Sequence, residues 1–348
     1  MNNVKAAIIG GTGYGSVELI RLIQKHPLLE IGTVVSNSQA GASFSEIYPH
    51  LSNVVEQPLE AFNPDQLCEE NSIVFLATPS GVSSILTPQL IDRGMTCIDL
   101  SGDLRLRSPE VYETWYKHPA AAEQYLNNAV YGLSEIYPEK IKNANLIANP
   151  GCYPTATLLG LLPIINSNLA DYESIIIDAK SGVSGAGRGL SLTSHYAEIN
   201  ENIKAYKLGA HQHIPEIEQV LSDEKGEPIT VTFTTHLVPM TRGIMCTIYV
   251  KLTEKVITSK VHQIYTEFYK NKPFVRIRPE GIVPATKEVL SSNFCDIGLH
   301  VDERTNRLTI ISVIDNLVKG AAGQAIQNAN IINGWDERTG LIDIPLYP

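Results

Sequence analysis

The chain has 348 residues, enough for about two domains, each with its own core. It carries 27 lysines and arginines against 37 aspartates and glutamates, a formal net charge of −10, with no basic run to offset it locally. That balance argues against a nucleic-acid or anionic-membrane partner and leaves room for a small anionic substrate held by a few placed arginines. The sequence enters a strand pattern directly, with no signal-peptide core and no apolar run of transmembrane length, so a cytoplasmic protein is expected. Cys68, Cys97, Cys152, Cys246 and Cys295 are widely spaced, odd in number and without a C-x-x-C pair, which predicts reduced thiols.

Residues 4–9 read as a strand, Gly10-Gly11-Thr12-Gly13-Tyr14-Gly15-Ser16 as a glycine turn, and Val17, Leu19, Ile20, Leu22 and Ile23 as the apolar face of a helix. Strand, glycine turn and helix in that order match the start of a dinucleotide-binding fold, in which the backbone approaches a pyrophosphate at the helix N-terminus. Gly10, Thr12, Gly13, Tyr14 and Ser16 are the cofactor-binding candidates. The next strand, 30–35, ends in Ser36-Asn37-Ser38, where a site for NAD would carry a carboxylate; hydroxyl and amide side chains, Ser36 first, point to NADP. A plain polar loop is the alternative for those three residues.

Residues 72–77 and 95–100 are further strands, with a helix start expected at Thr87-Pro88 between them. The second of these strands leads to Arg105, a candidate anion binder because open α/β sheets bind ligands at the carboxyl ends of their strands. The stretch 109–137 holds helical fragments and a turn at Tyr131-Gly132. Residues 145–148 close the first domain and run into Asn149-Pro150-Gly151-Cys152-Tyr153-Pro154-Thr155. Prolines and glycine hold Cys152 in a rigid turn just outside a helix at 155–165, where unpaired N–H groups and the helix dipole favour a thiolate. Cys152 is read as a nucleophile; Cys97 and Cys246, inside strand-like runs, are read as core residues.

The second half carries strand-like runs at 174–180, 230–237, 243–252, 275–278, 294–301 and 307–314 and an amphipathic helix at 259–269, the pattern of a mixed or antiparallel sheet with helices on one face. The glycine-rich 181–189 offers many backbone donors. His211 and His213 precede a helix expected from Pro215 and lack a third ligand at a metal-like spacing, so no metal is expected. One of them as the proton-transfer partner of Cys152 fits better; a surface or capping role stays open for each. Asn316 reads as the N-cap of a last helix with Val318, Ala322, Ala325, Ala329 and Ile332 on one face, and Gly320 and Gly323 fall where a ligand or another backbone would come close. The fold class expected is therefore α/β: a Rossmann-type dinucleotide-binding domain of 1–148 and 316–348, and an α+β catalytic and oligomerisation domain of 149–315 with a mixed or antiparallel sheet.

The cysteine turn, Ser181 to Arg188, His211-x-His213-x-Pro215-Glu216, His236-Leu237-Val238-Pro239-Met240-Thr241-Arg242-Gly243 and Asp315-Asn316-Leu317-x-Lys319-Gly320-Ala321-Ala322-Gly323 together closely resemble the N-acetyl-γ-glutamyl-phosphate reductase family, related in fold to aspartate-semialdehyde dehydrogenase. The resemblance runs nearly the full chain. It departs at Ser16, where the family has a third glycine, and at Asn37, where many members carry arginine. It implies NADPH-dependent reduction of N-acetyl-γ-glutamyl phosphate to N-acetylglutamate 5-semialdehyde in arginine biosynthesis, through a thioester on Cys152 with a histidine of the pair, His211 by a slight preference, moving protons. It further implies Arg105 for the departing phosphate, Arg242 for a substrate carboxylate, and Gly182, Ser184 and Asn316 for the nicotinamide half of NADP. A homo-oligomer acting on a small molecule, with neither nucleic acid nor membrane as partner, is expected. A reductase of another acyl phosphate, aminoadipyl or aspartyl, and a non-catalytic NADP sensor are the alternatives.

Overall fold

The computed structural model of the chain describes residues 3–348, which group into two units: the chain up to Pro150 with Ala321–Leu341, and Gly151–Gly320 with Ile342–Pro348. The last stretch thus differs from the expected 316–348 return: the Leu346 N–H donates to the Leu290 carbonyl, within the second unit.

In the first unit, β1 (Val4–Ile9), β2 (Leu29–Val35), β3 (Ile73–Leu76), β4 (Thr96–Asp99), β5 (Val130–Tyr131) and β6 (Leu146–Ala148) pair in the order β2-β1-β3-β4-β6-β5, all parallel. The chain leaves β1 to one side for β2 and to the other for β3, so the strand order reverses between β1 and β3, the point where open α/β sheets take their ligands. Every residue of β3 is buried, as a sheet covered on both faces requires. Tyr131, expected in a turn, instead ends β5 opposite Ala148; two residues are too few to show a period.

Helix Ser83–Ile91 begins a turn before the expected Thr87-Pro88 and keeps Pro88 inside it. Asp103 sets the start, because its buried carboxylate accepts from the N–H groups of Gly81 and Ser84 and from Ser83 Oγ, donors that a helix start leaves unpaired. A second buried acid, Asp99, ends β4; burial and the neighbouring Asp103 push its carboxyl from 3.8 up to about 6, against hydrogen bonds from Ser101 and the charge of Arg105. An acid harder to ionise folded than unfolded removes stability as the pH rises between those two values. Thermal midpoints measured across about pH 4 to 6 should therefore show Asp99→Asn gaining on the wild type as pH rises; parallel curves would contradict this.

The last helix, Gly323–Ile332, buries Ala325 and Ala329 as its spacing predicts, but Gln324, Gln327, Asn328 and Asn330 are buried as well. Their amide nitrogens find acceptors inside: Gln324 donates to the Gly132 carbonyl and Ser134 Oγ, and Asn328 donates to Asn149 Oδ1 at 3.0 Å.

In the second unit, β7 (Ile176–Ser181), β8 (Lys204–Tyr206), β9 (Thr232–Leu237), β10 (Ile244–Lys251), β11 (Val275–Ile277), β12 (Cys295–Asp302) and β13 (Arg307–Ile314) form a mixed sheet in the order β11-β12-β13-β10-β7-β9-β8. The pairs β11–β12 and β7–β9 are parallel and the others antiparallel. Ile244, Cys246, Ile248 and Val250 alternate inward along β10, and helix Cys152–Asn166, buried at every position from Tyr153 to Ile165, covers that face. Pro163 lacks the N–H that would pair with the Leu159 carbonyl; the Tyr269 hydroxyl donates to it instead at 2.6 Å.

Candidate active site

The cysteine helix begins on the cysteine itself. Gly151 is its N-cap, so Cys152 is the first helical residue and not, as expected, one just outside a helix. Pro154 costs no hydrogen bond there, because the opening N–H groups of a helix have no carbonyl to pair with. Cys152 is half-buried, whereas Cys97, Cys246 and Cys295 are fully buried. Two neighbours fix its backbone. The Gly151 N–H donates at 2.8 Å to Glu216 Oε1, on a side chain with no solvent exposure. On the other flank stands Gly320, where a Cβ would lie 2.8 Å from Cys152 Cβ and 3.2 Å from its Cα. Gly320 belongs to one turn of π-helix, Val318–Ala322, with its N–H donating to the Asp315 carbonyl; such turns gather at functional sites.

Helix His213–Lys225 starts two residues before the expected Pro215, so His213 is its first residue. Cys152, Tyr153, Tyr206, Lys207, His211 and His213 line one cavity of about 540 Å³. The His213 backbone N–H donates to His211 Nδ1 at 3.1 Å, which puts the His211 proton on Nε2. Burial first, then the charge of Lys207, lowers His211 to about 3. The Tyr153 ring meets both imidazoles edge-on, at 5.5 and 6.0 Å between centroids, and the two imidazoles are 4.7 Å apart. Its hydroxyl lies 3.1 Å from that of Tyr206, which burial pushes up to about 12.

Gly182 is obligatory after β7, since a Cβ would come within 2.9 Å of three backbone atoms of Met240, Thr241 and Arg242. Asn316 closes the same loop: its Nδ2 donates to Ser184 Oγ at 2.9 Å and its Oδ1 accepts from the Gly243 N–H at 2.7 Å. It is not the N-cap expected; Asp315 takes that part, accepting from the N–H groups of Leu317 and Val318. Arg242 faces the fully buried Asp315 at 3.5 Å and Ser291 Oγ at 3.1 Å, and the cations lining the cavity are Lys204 and Lys207.

In the first unit, Gly10 has φ +93° and a Cβ there would run into the Ala77 carbonyl. Gly13 caps helix Tyr14–Ile23 with no side-chain partner, and the first turn carries no acid, so the helix start presents its N–H groups as an anion site requires. Ser16 is fully buried and donates to the Gly10 carbonyl at 2.7 Å, bracing the turn from beneath; the Thr12 carbonyl accepts from Tyr48, and Tyr14 is exposed. Ser36 stands at the end of β2, its Oγ 3.5 Å from that of Ser38, while Asn37 Oδ1 accepts from the Phe62 N–H. Arg105 is buried after β4 and donates to the Asn149 and Leu100 carbonyls at 2.8 and 2.9 Å. Glu216, Tyr153, Tyr206 and Asp315 escaped the sequence reading as site residues. A carboxylate in the first turn of a helix is ordinary, so nothing marked Glu216 as buried.

Residues 5–144 match the family model for the semialdehyde dehydrogenase NAD binding domain, and residues 152–316 that for the semialdehyde dehydrogenase dimerisation domain. Aspartate semialdehyde dehydrogenase II of Vibrio cholerae, solved with ASA, shares the fold with a TM-score of 0.72 at 17% identity, over 96% of this chain and 99% of that one. The Candida albicans aspartate semialdehyde dehydrogenase solved with NADP gives 0.72 at 16%, over 95% and 99%. A parallel nucleotide-binding sheet joined to a mixed-sheet dimerisation domain places the chain in the semialdehyde dehydrogenase class. Proteins named N-acetyl-gamma-glutamyl-phosphate reductase are 54% identical in Oceanobacillus iheyensis (99% of both chains), 55% in a Geobacillus strain (98% and 99%) and 53% in Bacillus subtilis (99% and 100%). The chain belongs to the N-acetyl-γ-glutamyl-phosphate reductase family. Among the described residues, no helix is long and apolar enough to cross a membrane.

Proposed function

We propose that the chain reduces N-acetyl-γ-glutamyl phosphate to N-acetylglutamate 5-semialdehyde with NADPH, releasing phosphate, as a step of arginine biosynthesis. The observation that carries this reading is a cysteine at a helix start sharing one cavity with two histidines, in a chain more than half identical to reductases named for that substrate. Cys152 Sγ attacks the acyl carbon, the carbon–oxygen bond to phosphate breaks, and a thioester remains. The positive end of its helix favours the anionic sulfur that attacks. When bound, NADPH supplies the hydride that turns the thioester into a thiohemiacetal, whose carbon–sulfur bond then breaks to free the aldehyde. The Gly10–Gly13 turn and the uncapped helix start suit its pyrophosphate, and Ser36 its 2′-phosphate.

Proton transfer falls to His213. On His211, Nδ1 already accepts the His213 N–H and Nε2 carries the proton, so no nitrogen is left to take another, and this ring acts as a neutral donor. His213 takes the thiol proton as Sγ attacks and returns it when Sγ becomes the leaving group. This assignment replaces the preference for His211. Arg105 remains the cation for the departing phosphate, and the substrate carboxylate passes from Arg242, held by Asp315, to Lys204 and Lys207. The second unit is the part through which copies of the chain assemble. In an oxidative assay, N-acetylglutamate 5-semialdehyde with NADP⁺ should give NADPH only when inorganic phosphate is present. Phosphate-independent turnover, or faster turnover of aspartate or aminoadipate semialdehyde, would overturn the reading.

A further inference from the structure

Glu216 is a carboxylate with no solvent exposure, placed in the first turn of helix His213–Lys225. Burying such a charge is costly unless something compensates it. Here its own helix start supplies one positive dipole end. The start of the cysteine helix supplies the second, through the Gly151 N–H, whose 2.8 Å bond to Oε1 has the length of a charge-assisted hydrogen bond. Glu216 therefore ties the residue before Cys152 to the helix that begins with His213, three positions earlier on the same turn. Tyr153 fills the space between, its ring edge-on to both imidazoles.

We propose that Glu216 is the positioning residue that fixes Cys152 in register with His213. It touches neither substrate nor cofactor; it acts by holding two helix starts together. This rests on the reading of Cys152 as the nucleophile. An oxygen that accepts the Gly151 N–H at the right reach is what the role requires, and the negative charge is secondary.

Glu216→Gln keeps the reach and an acceptor oxygen, whereas Glu216→Asp keeps the charge and withdraws the oxygen by one methylene, about 1.5 Å. Misplacement on that scale should lower kcat by about 100-fold in the Asp variant with KM changed less than about threefold, and slow carboxymethylation of Cys152 by iodoacetamide alongside. The Gln variant should stay within about threefold of wild type in both readouts. Should Glu216→Asp fail to fold, the same bond can be cut from the donor side. Gly151 has φ −66°, within the range proline adopts, so Gly151→Pro removes the N–H, and Gly151→Ala, which also adds a Cβ, keeps it. The proline variant should show the alkylation defect and the alanine variant should not. Alkylation needs no substrate, so a wild-type protein inactive on the acyl phosphate would sink the proposed reaction and leave this contrast readable. An Asp variant retaining half the wild-type alkylation rate and kcat, a Gln variant as slow as Asp, or a proline variant no slower than alanine would overturn the proposal.

Discussion

Cys152→Ala is expected to lower kcat by a factor on the order of 10⁶ while leaving NADPH binding unchanged. Without Sγ no thioester can form, and neither imidazole of the cavity can stand in as the acyl carrier, because His211 has both nitrogens committed and His213 is assigned to the proton. The fold should survive the change. Alanine is the best helix former, and a half-buried first helical residue has little packing to lose. Fluorescence titration with NADPH reports the nucleotide site of the first unit, and steady-state kinetics reports the chemistry; activity within tenfold of wild type would mean that the nucleophile lies elsewhere.

Gly320→Ala should produce the second largest loss, although it adds a single methyl group. The new carbon would stand 2.8 Å from Cys152 Cβ and 3.2 Å from Ile314 Cδ1, where ordinary carbon contacts need about 3.5 to 4.0 Å. Backbone strain plays no part, since Gly320 is not among the glycines with positive φ. The closest clash falls on Cys152 Cβ, which is bonded to the main chain and cannot swing aside, so the first turn of the cysteine helix must shift by roughly 1 Å. Such a shift should cost about 100-fold in kcat, and the overpacking about 1 to 3 kcal/mol of stability. Kinetics and thermal unfolding measured together check this: a variant with wild-type kcat would show that Gly320 is a bystander.

The parts of the fold that could be read from sequence are those whose signal is local. The β1–turn–helix unit and β13 are set by runs of apolar residues and by glycines where the chain must turn, and Cys152 stood out because rigid residues flank it. What escaped depends on partners distant in the chain. Asp103 moves a helix start away from Thr87-Pro88, and Asn328, outside the apolar face that the spacing gives the last helix, is buried against Asn149. The resemblance gives Arg242 to a substrate carboxylate, and nothing local in the sequence reveals that the buried Asp315 faces it. Glu216 is the most consequential case: its place in a first helical turn is what a surface glutamate would show, and only the fold puts Gly151 against it. The histidine pair could be found from the sequence, but the tautomer of His211 depends on the direction of one backbone N–H, which no spacing encodes.

The proposed reaction depends on a covalent bond between substrate and one sulfur. Mixing the protein with N-acetyl-γ-glutamyl phosphate in the absence of NADPH, followed by acid quench and peptide mass spectrometry, tests that directly. The peptide containing Cys152 should gain one N-acetylglutamyl group with one equivalent of phosphate released, and later addition of NADPH should discharge it. An acyl group carried by any other residue, or NADPH-dependent turnover with no acyl group trapped on Cys152, would contradict the account.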